Sequence, residues 1–296
     1  MLKKFLLLMA LGISLGGCGK ESQQKQIYND LVNYYPGDKA SKPNIKFASS
    51  LSSDGVNALS EDFEFLRRIN MTPANSADLV AVMKINDSSP KSLVSWLDDR
   101  MQYVVPKDFD ADKSAYLSSI FIPDSPMNDD SKTGTVMASN IGAAVYMSAA
   151  EQGRAAFVQI PGFGDVHVSS PRVGIIQEGD GLFTDMIGEG HLDDVPHILL
   201  RLSTFFHEAR HSDGNGQSLC FTHSVCPSGH DYEGLYACDN NGNGPYRIEA
   251  ELVKAFANTC SGCSPRTLEL FKMMEADSFS RMLSKDNWND SPQGSR

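Results

Sequence analysis

Apolar side chains recur at helical spacing in three runs between Ser60 and Tyr103, and each run opens on a residue suited to that start. Ser60 to Ile69 follows a serine cap and Asn75 to Lys84 an asparagine cap, while Ser89 to Tyr103 has Pro90 at the first helical position, where a missing N–H costs nothing. In the third run Leu93, Trp96, Leu97, Arg100, Met101 and Val104 fall near one face, which makes Trp96 a core residue. The polar loop 123–135 closes this helical region. Beyond it the period shortens: Ala155 to Ile160, Val166 to Ser169 and Arg172 to Ile176 read as short strands separated by PGFG and SSP turns. Ser139 to Gln152 is apolar but has no decisive period. A small, mostly antiparallel sheet is expected.

Helical spacing then returns. Asp193 to Asp213 carries Asp193, Asp194 and Pro196 at its start and is followed by Gly214, a proper start and stop. Leu200, Ser203, Thr204, His207 and His211 share one side of it, and Leu199, Leu202, Phe205 and Phe206 supply apolar bulk. A second helix starts at Pro245 after NNGNG, with Glu249 on the face of Leu252, Val253 and Phe256, and Glu251 turned toward Lys254 and Asn258. Thr267 to Leu283 reads as a final helix. The expected class is α+β, with a helical region 44–130 followed by a domain 131–296 that holds the sheet and the long helix.

The N-terminus follows another rule. Lys3 and Lys4 precede an apolar stretch, Phe5 to Leu15, that is too short to span a bilayer, so residues 1–17 read as a signal peptide. The stretch ends Leu15, Gly16, Gly17, Cys18, which resembles the lipobox of bacterial lipoproteins. That resemblance implies lipid on Cys18, a polar tether within 18–43, and a body held at the cell envelope, most readily the outer membrane, facing the periplasm or the exterior. In oxidising surroundings the remaining five cysteines, Cys220, Cys226, Cys238, Cys260 and Cys263, are disulfide candidates; five is odd, so at least one is free or pairs elsewhere, and Cys226 with Cys238 is the expected pair. Cys260 and Cys263 form one CxxC with no second CxxC to make a zinc ribbon. A length of 296 residues with 41% hydrophobic and 21% charged residues permits a sizeable core. The net charge of −11 excludes a nucleic-acid surface, which needs a basic stripe.

Charge leaves chemistry to one segment, Thr204 to Gly214, where His207, Glu208 and His211 form HExxH. On a helix the i,i+4 spacing puts both imidazoles on one face, where they can share a zinc ion, with Glu208 beside them as general base. A catalytic zinc takes three protein ligands and one open position. Gln217 stands where a metzincin motif has its third histidine, and a neutral amide is a poor ligand beside imidazoles. Two better third ligands remain. Glu249 is a carboxylate set in an apolar stripe, which needs a partner for its charge, a metal or an arginine such as Arg247 or Arg210. His223 lies in a loop that Cys226 could pin. Glu249 is ranked first and His223 second.

The chain resembles a zinc metallopeptidase of the HExxH (zincin) type, and the second-helix glutamate is similar to the gluzincin plan. The resemblance implies Zn2+ as cofactor and a protein or peptide as substrate. It also implies a sheet strand, here Val173 to Ile176, that aligns the substrate backbone. Asp213 would support a ring N–H, and His230, Tyr232, Tyr236 and Tyr246 are available to steady an oxyanion. Two other functions fit the same residues: an envelope lipoprotein that uses a degenerate zincin fold for binding, and a zinc amidase acting on cell-wall peptides.

Overall fold

Ser52 opens the first helix by accepting a hydrogen bond from the Gly55 amide on its side-chain oxygen, 3.1 Å away. Helix α1 (Ser53–Leu66) therefore begins a full two turns before the serine expected to cap it, and Ser60 instead returns its hydroxyl to the Val56 carbonyl within the helix. α2 (Pro73–Met83) starts on Pro73 behind Thr72, two residues before the asparagine expected to cap it, and α3 (Pro90–Asp98) starts on Pro90 as expected. The chain leaves α3 at Asp99 and enters a strand at Tyr103, so the helix expected to reach Tyr103 stops earlier. The β-branched Val104 and Val105 are taken by sheet pairing, which outweighs the helical spacing of the run.

The structure, a computed structural model, describes residues 40–110, 114–121, 143–146, 154–168, 174–179, 182–183, 195–211, 221, 223–260 and 263–284. The expected signal segment, Cys18, the loop 123–135, Val173, Asp213, Gln217 and Cys220 lie outside the described residues. Ala40, in the stretch expected as tether, is buried, and its carbonyl accepts from Arg67.

The described strands form a four-stranded, a three-stranded and a two-stranded sheet. In the first, β1 (Lys46–Phe47), β2 (Tyr103–Val105), β7 (Ile175–Glu178) and β4 (Ala143–Tyr146) lie in that order. β1–β2 and β2–β7 are parallel and only β7–β4 is antiparallel, so this sheet is mixed rather than mostly antiparallel. The second sheet, β3 (Ala115–Phe121), β5 (Arg154–Ile160) and β6 (Gly164–Val168), and the hairpin β8 (Ser224–Val225) with β9 (Tyr236–Cys238) are antiparallel throughout. Ile175 and Ile176 sit in a strand paired on both sides, which removes them as a rail for a substrate backbone. Gly174 is needed at the start of that strand, because a Cβ there would lie 1.7 Å from the Arg100 carbonyl oxygen.

Helices α4 (Val195–His211), α5 (Pro245–Thr259) and α6 (Pro265–Ser280) complete the described elements. Regions 44–130 and 131–296 share one hydrophobic core. Trp96 stacks on Phe206 with ring centroids 5.5 Å apart, and Phe63 meets Phe205 edge-on at 5.4 Å. α1 is tied to α4 by a buried two-bond pair in which Arg201 donates to both Asp62 oxygens at 2.6 and 2.8 Å. These contacts fix α4 against α1 and α3.

One buried acid at the end of β7 sets a pH response. Glu178 packs against Gly55, and burial pushes its carboxyl up to about 7 from an ordinary 4.5. Because the folded-state value lies above the unfolded one, stability is full below pH 4.5 and falls from there to about pH 7, where the carboxyl is ionised in the unfolded chain but still protonated in the fold. Glu178→Gln should therefore gain stability over the wild type by about 1–2 kcal/mol between pH 4 and pH 8, an amount reduced for its partial screening. Urea denaturation at the two pH values measures it.

Candidate metal centre

α4 is buried almost all round, from Val195 to His211, with the aliphatic and aromatic residues of its sequence facing core on every side. A helix in that position cannot leave polar side chains without partners, so each one has to be traced. Arg201 is held by Asp62. Arg210 donates to the Asn243 carbonyl at 3.0 Å and lies flat over Phe221 at 3.8 Å. Ser203 and Thr204 return their hydroxyls to the Leu200 carbonyl, and His197 is buried near the start of the helix. His207, Glu208 and His211 remain, on its last two turns.

Both histidines, with His223 from the segment before β8, commit the same ring nitrogen. Nδ1–H of His207 donates to Glu249 Oε2 at 2.9 Å, that of His211 to the Phe221 carbonyl at 2.6 Å, and that of His223 to Asp239 Oδ1 at 2.8 Å. A backbone carbonyl and ionised carboxylates can only accept, so each Nδ1 carries the proton and each Nε2 keeps a lone pair. These lone pairs converge: His223 Nε2 lies 3.2 Å from Nε2 of His207 and 3.2 Å from Nε2 of His211. His207, His211 and His223 thus form a group that could hold a metal ion, with its first two members buried and the third half-buried.

Asp239 carries much of this arrangement. Its second carboxylate oxygen accepts from the Tyr246 amide at 2.9 Å, and its main chain bonds to Arg281 O and Leu283 N beyond the end of α6. Gly244 must be glycine for lack of room, since a Cβ there would lie 2.5 Å from Asp239 Oδ2. Tyr246 then lays its ring on His223 at 4.8 Å and meets His207 edge-on at 4.5 Å, while its hydroxyl accepts from Arg281 at 2.7 Å. The Cys226–Cys238 disulfide, the expected pair, closes the hairpin between His223 and Asp239. In the chain-entropy picture a closure over 12 residues is worth about 3 kcal/mol. Cys260 and Cys263 are bonded to each other as well.

Electrostatics divides the acids and bases. Burial pushes the Glu208 carboxyl up to about 7, with His207 pulling back and Glu249 adding to the rise. Burial alone would lower His207, but the Glu249 carboxylate on its ring reverses the balance and raises it. His223 ends lowered, because burial outweighs Asp239.

Glu249, ranked first as third ligand, sits elsewhere than expected: its carboxylate meets Nδ1 of His207, on the ring edge away from the converging nitrogens. It does not pair with Arg247 or Arg210. Arg247 holds Glu251 at 2.7 Å, and Glu251, expected to turn toward Lys254, meets it at 3.1 Å and is buried between the two. Among the residues considered for an oxyanion, Tyr246 is in ring contact with two of the histidines. Tyr232 gives its proton to Asp277 at 2.6 Å, and Tyr236 is largely exposed. His230 uses both ring nitrogens, donating to Ser280 O and accepting from the Tyr232 amide. It lies beside Cys226 and Cys238, but with the sulfurs bonded to each other that trio is closed to a metal. Asp239 and the Phe221 carbonyl were missed by sequence reasoning; the run CDNNGNGP marks a tight turn, and only folding shows what its aspartate touches.

No protein-family model, curated protein or solved structure matches the chain, so function has to be argued from this geometry.

Asp239→Ala frees the His223 ring, and Gly244→Ala should displace Asp239 by crowding it. Each should weaken metal affinity about 10–100-fold without unfolding the protein. Competition against a chromophoric chelator, with circular dichroism as the check on folding, measures it.

Proposed function

We propose that the protein is a zinc-dependent hydrolase, most specifically a metallopeptidase, with His207, His211 and His223 as zinc ligands and Glu208 as general base. The observation that carries this reading is the convergence of three Nε2 atoms whose partner nitrogens are all committed to acceptors. Three imidazoles, with no oxygen ligand beside them among the described residues, suit zinc. Two nitrogens on a tetrahedral zinc lie about 3.3 Å apart, which agrees with the 3.2 Å separations here. Three ligands leave a fourth position for water or substrate. Glu249 moves from ligand to the group that orients His207.

When bound, zinc supplies a Lewis acid that acidifies water and polarises a carbonyl. Glu208, buried and poised near neutrality, takes a proton from the attacking water at its carboxylate and passes it to the leaving amine. Glu249, Asp239 and the Phe221 carbonyl hold the three rings in register through their Nδ1 protons. Burial keeps the Tyr246 hydroxyl protonated well into the alkaline range, and its ring packs against His207 and His223. The substrate class, protein or peptide, is taken from the resemblance of the HExxH segment.

The same reading keeps the N-terminal expectation: lipid on Cys18 attaches the body to an envelope membrane. No described helix is long and apolar enough to cross one.

Glu208→Gln separates catalysis from binding. Zinc content should stay stoichiometric while turnover of a peptide substrate falls about 10²–10⁴-fold. Elemental analysis with a peptidase assay checks both, and unchanged turnover with zinc bound would sink Glu208 as the base.

A further inference from the structure

We propose that the Cys226–Cys238 bond makes metal binding at the His207–His211–His223 centre conditional on oxidising surroundings. The inference rests on the metal reading above and concerns its regulation.

Two of the three histidines need no help. His207 and His211 project from a buried helix whose Phe205, Phe206 and Ala209 lie in the core. His223 is held differently. It precedes β8, a strand of 2 residues whose register with β9 breaks between Ser224 and Val225. The hairpin exposes Val225, Leu235 and Tyr236, so little apolar burial supports it, and an isolated two-stranded hairpin is marginal in water.

The bond compensates at the right place. Cys226 lies three residues after His223, and Cys238 immediately precedes Asp239, the carboxylate that receives the His223 proton. Asp239 is anchored independently of the bond, by Tyr246 N, Arg281 O and Leu283 N. His230 steadies the Cys238 side by donating to Ser280 O. The disulfide therefore ties a loose ligand arm to a fixed point, and its loss frees the His223 arm first.

The chemistry balances. Two thiols give up two protons and two electrons to an acceptor disulfide, which becomes a dithiol, and one S–S bond forms. A chain held under reducing conditions carries the two thiols and offers a metal only the two helix histidines. After transfer to oxidising conditions the third arm closes. Both sulfurs are buried, at 2% and 0% exposure, so the closed form behaves as a latch and resists casual reduction.

The test uses the full-length protein in a Cys220→Ser background, loaded with zinc alone and titrated against a chelator. Cys226→Ser/Cys238→Ser should bind zinc on the order of 100-fold more weakly than the oxidised protein, the loss expected from opening a loop of this size. Cys260→Ser/Cys263→Ser, which breaks the other disulfide, should bind as the parent does. If the serine pair fails to fold by circular dichroism, Cys226→Ala/Cys238→Val keeps the buried position apolar and repeats the measurement. Affinity of a folded variant within roughly threefold of the parent overturns the inference. So does a reduced parent that takes cobalt with thiolate charge-transfer absorption, since the thiols would then be the binding site. A parent that binds no zinc in either redox state overturns the metal reading itself.

Discussion

Three imidazole lone pairs aimed at one point repel each other unless a cation lies between them, and the rest of this structure serves to keep them there. The fixing is done from behind. Glu249, the Phe221 carbonyl and Asp239 each accept a hydrogen bond from an Nδ1–H, which turns every Nε2 inward. Three acceptors behind the rings and 3.2 Å nitrogen separations in front of them make a group that could hold a metal ion. The buried pair Asp62–Arg201 and the stack of Trp96 on Phe206 lock α4 into the core, so the N-terminal helices act on the site by holding α4 still.

The third arm is built on other principles. It depends on a covalent bond, a glycine and a carboxylate rather than on helix packing. Phe221 adopts a left-handed backbone conformation, φ 47°, to present its carbonyl to His211, and the Arg210 guanidinium covers its ring. Asp239 joins the arm to the segment after α6. The site therefore draws on α4, α5, the β8–β9 hairpin and the chain beyond α6, and it is complete only when all four are in place.

Legibility in the sequence tracked the range of the interaction. α4 and its HExxH pair were readable because helical spacing, a proline near the start and a motif on one face all agree within one segment. α5 was readable from Pro245, and Cys226 with Cys238 was the pair expected of a chain read as exported. Glu249 was rightly singled out as a carboxylate that needs a partner, but spacing cannot say which edge of an imidazole it meets, and it met Nδ1. Asp239 acts across 16 residues through an Asn- and Gly-rich turn, and no periodicity reports such a contact. The strand at Tyr103–Val105 was hidden for a related reason: sheet partners distant in sequence decided a run whose local spacing was helical.

The central claim is that His223 completes the metal centre while Glu249 orients it. Zinc affinity of Glu249→Gln and His223→Ala tests this most directly, because an amide oxygen still accepts the His207 proton but serves poorly as a ligand. The account predicts that Glu249→Gln keeps stoichiometric zinc with a loss below about 10-fold, whereas His223→Ala loses more than about 100-fold. Retention of tight zinc by His223→Ala, with loss in Glu249→Gln, would contradict it.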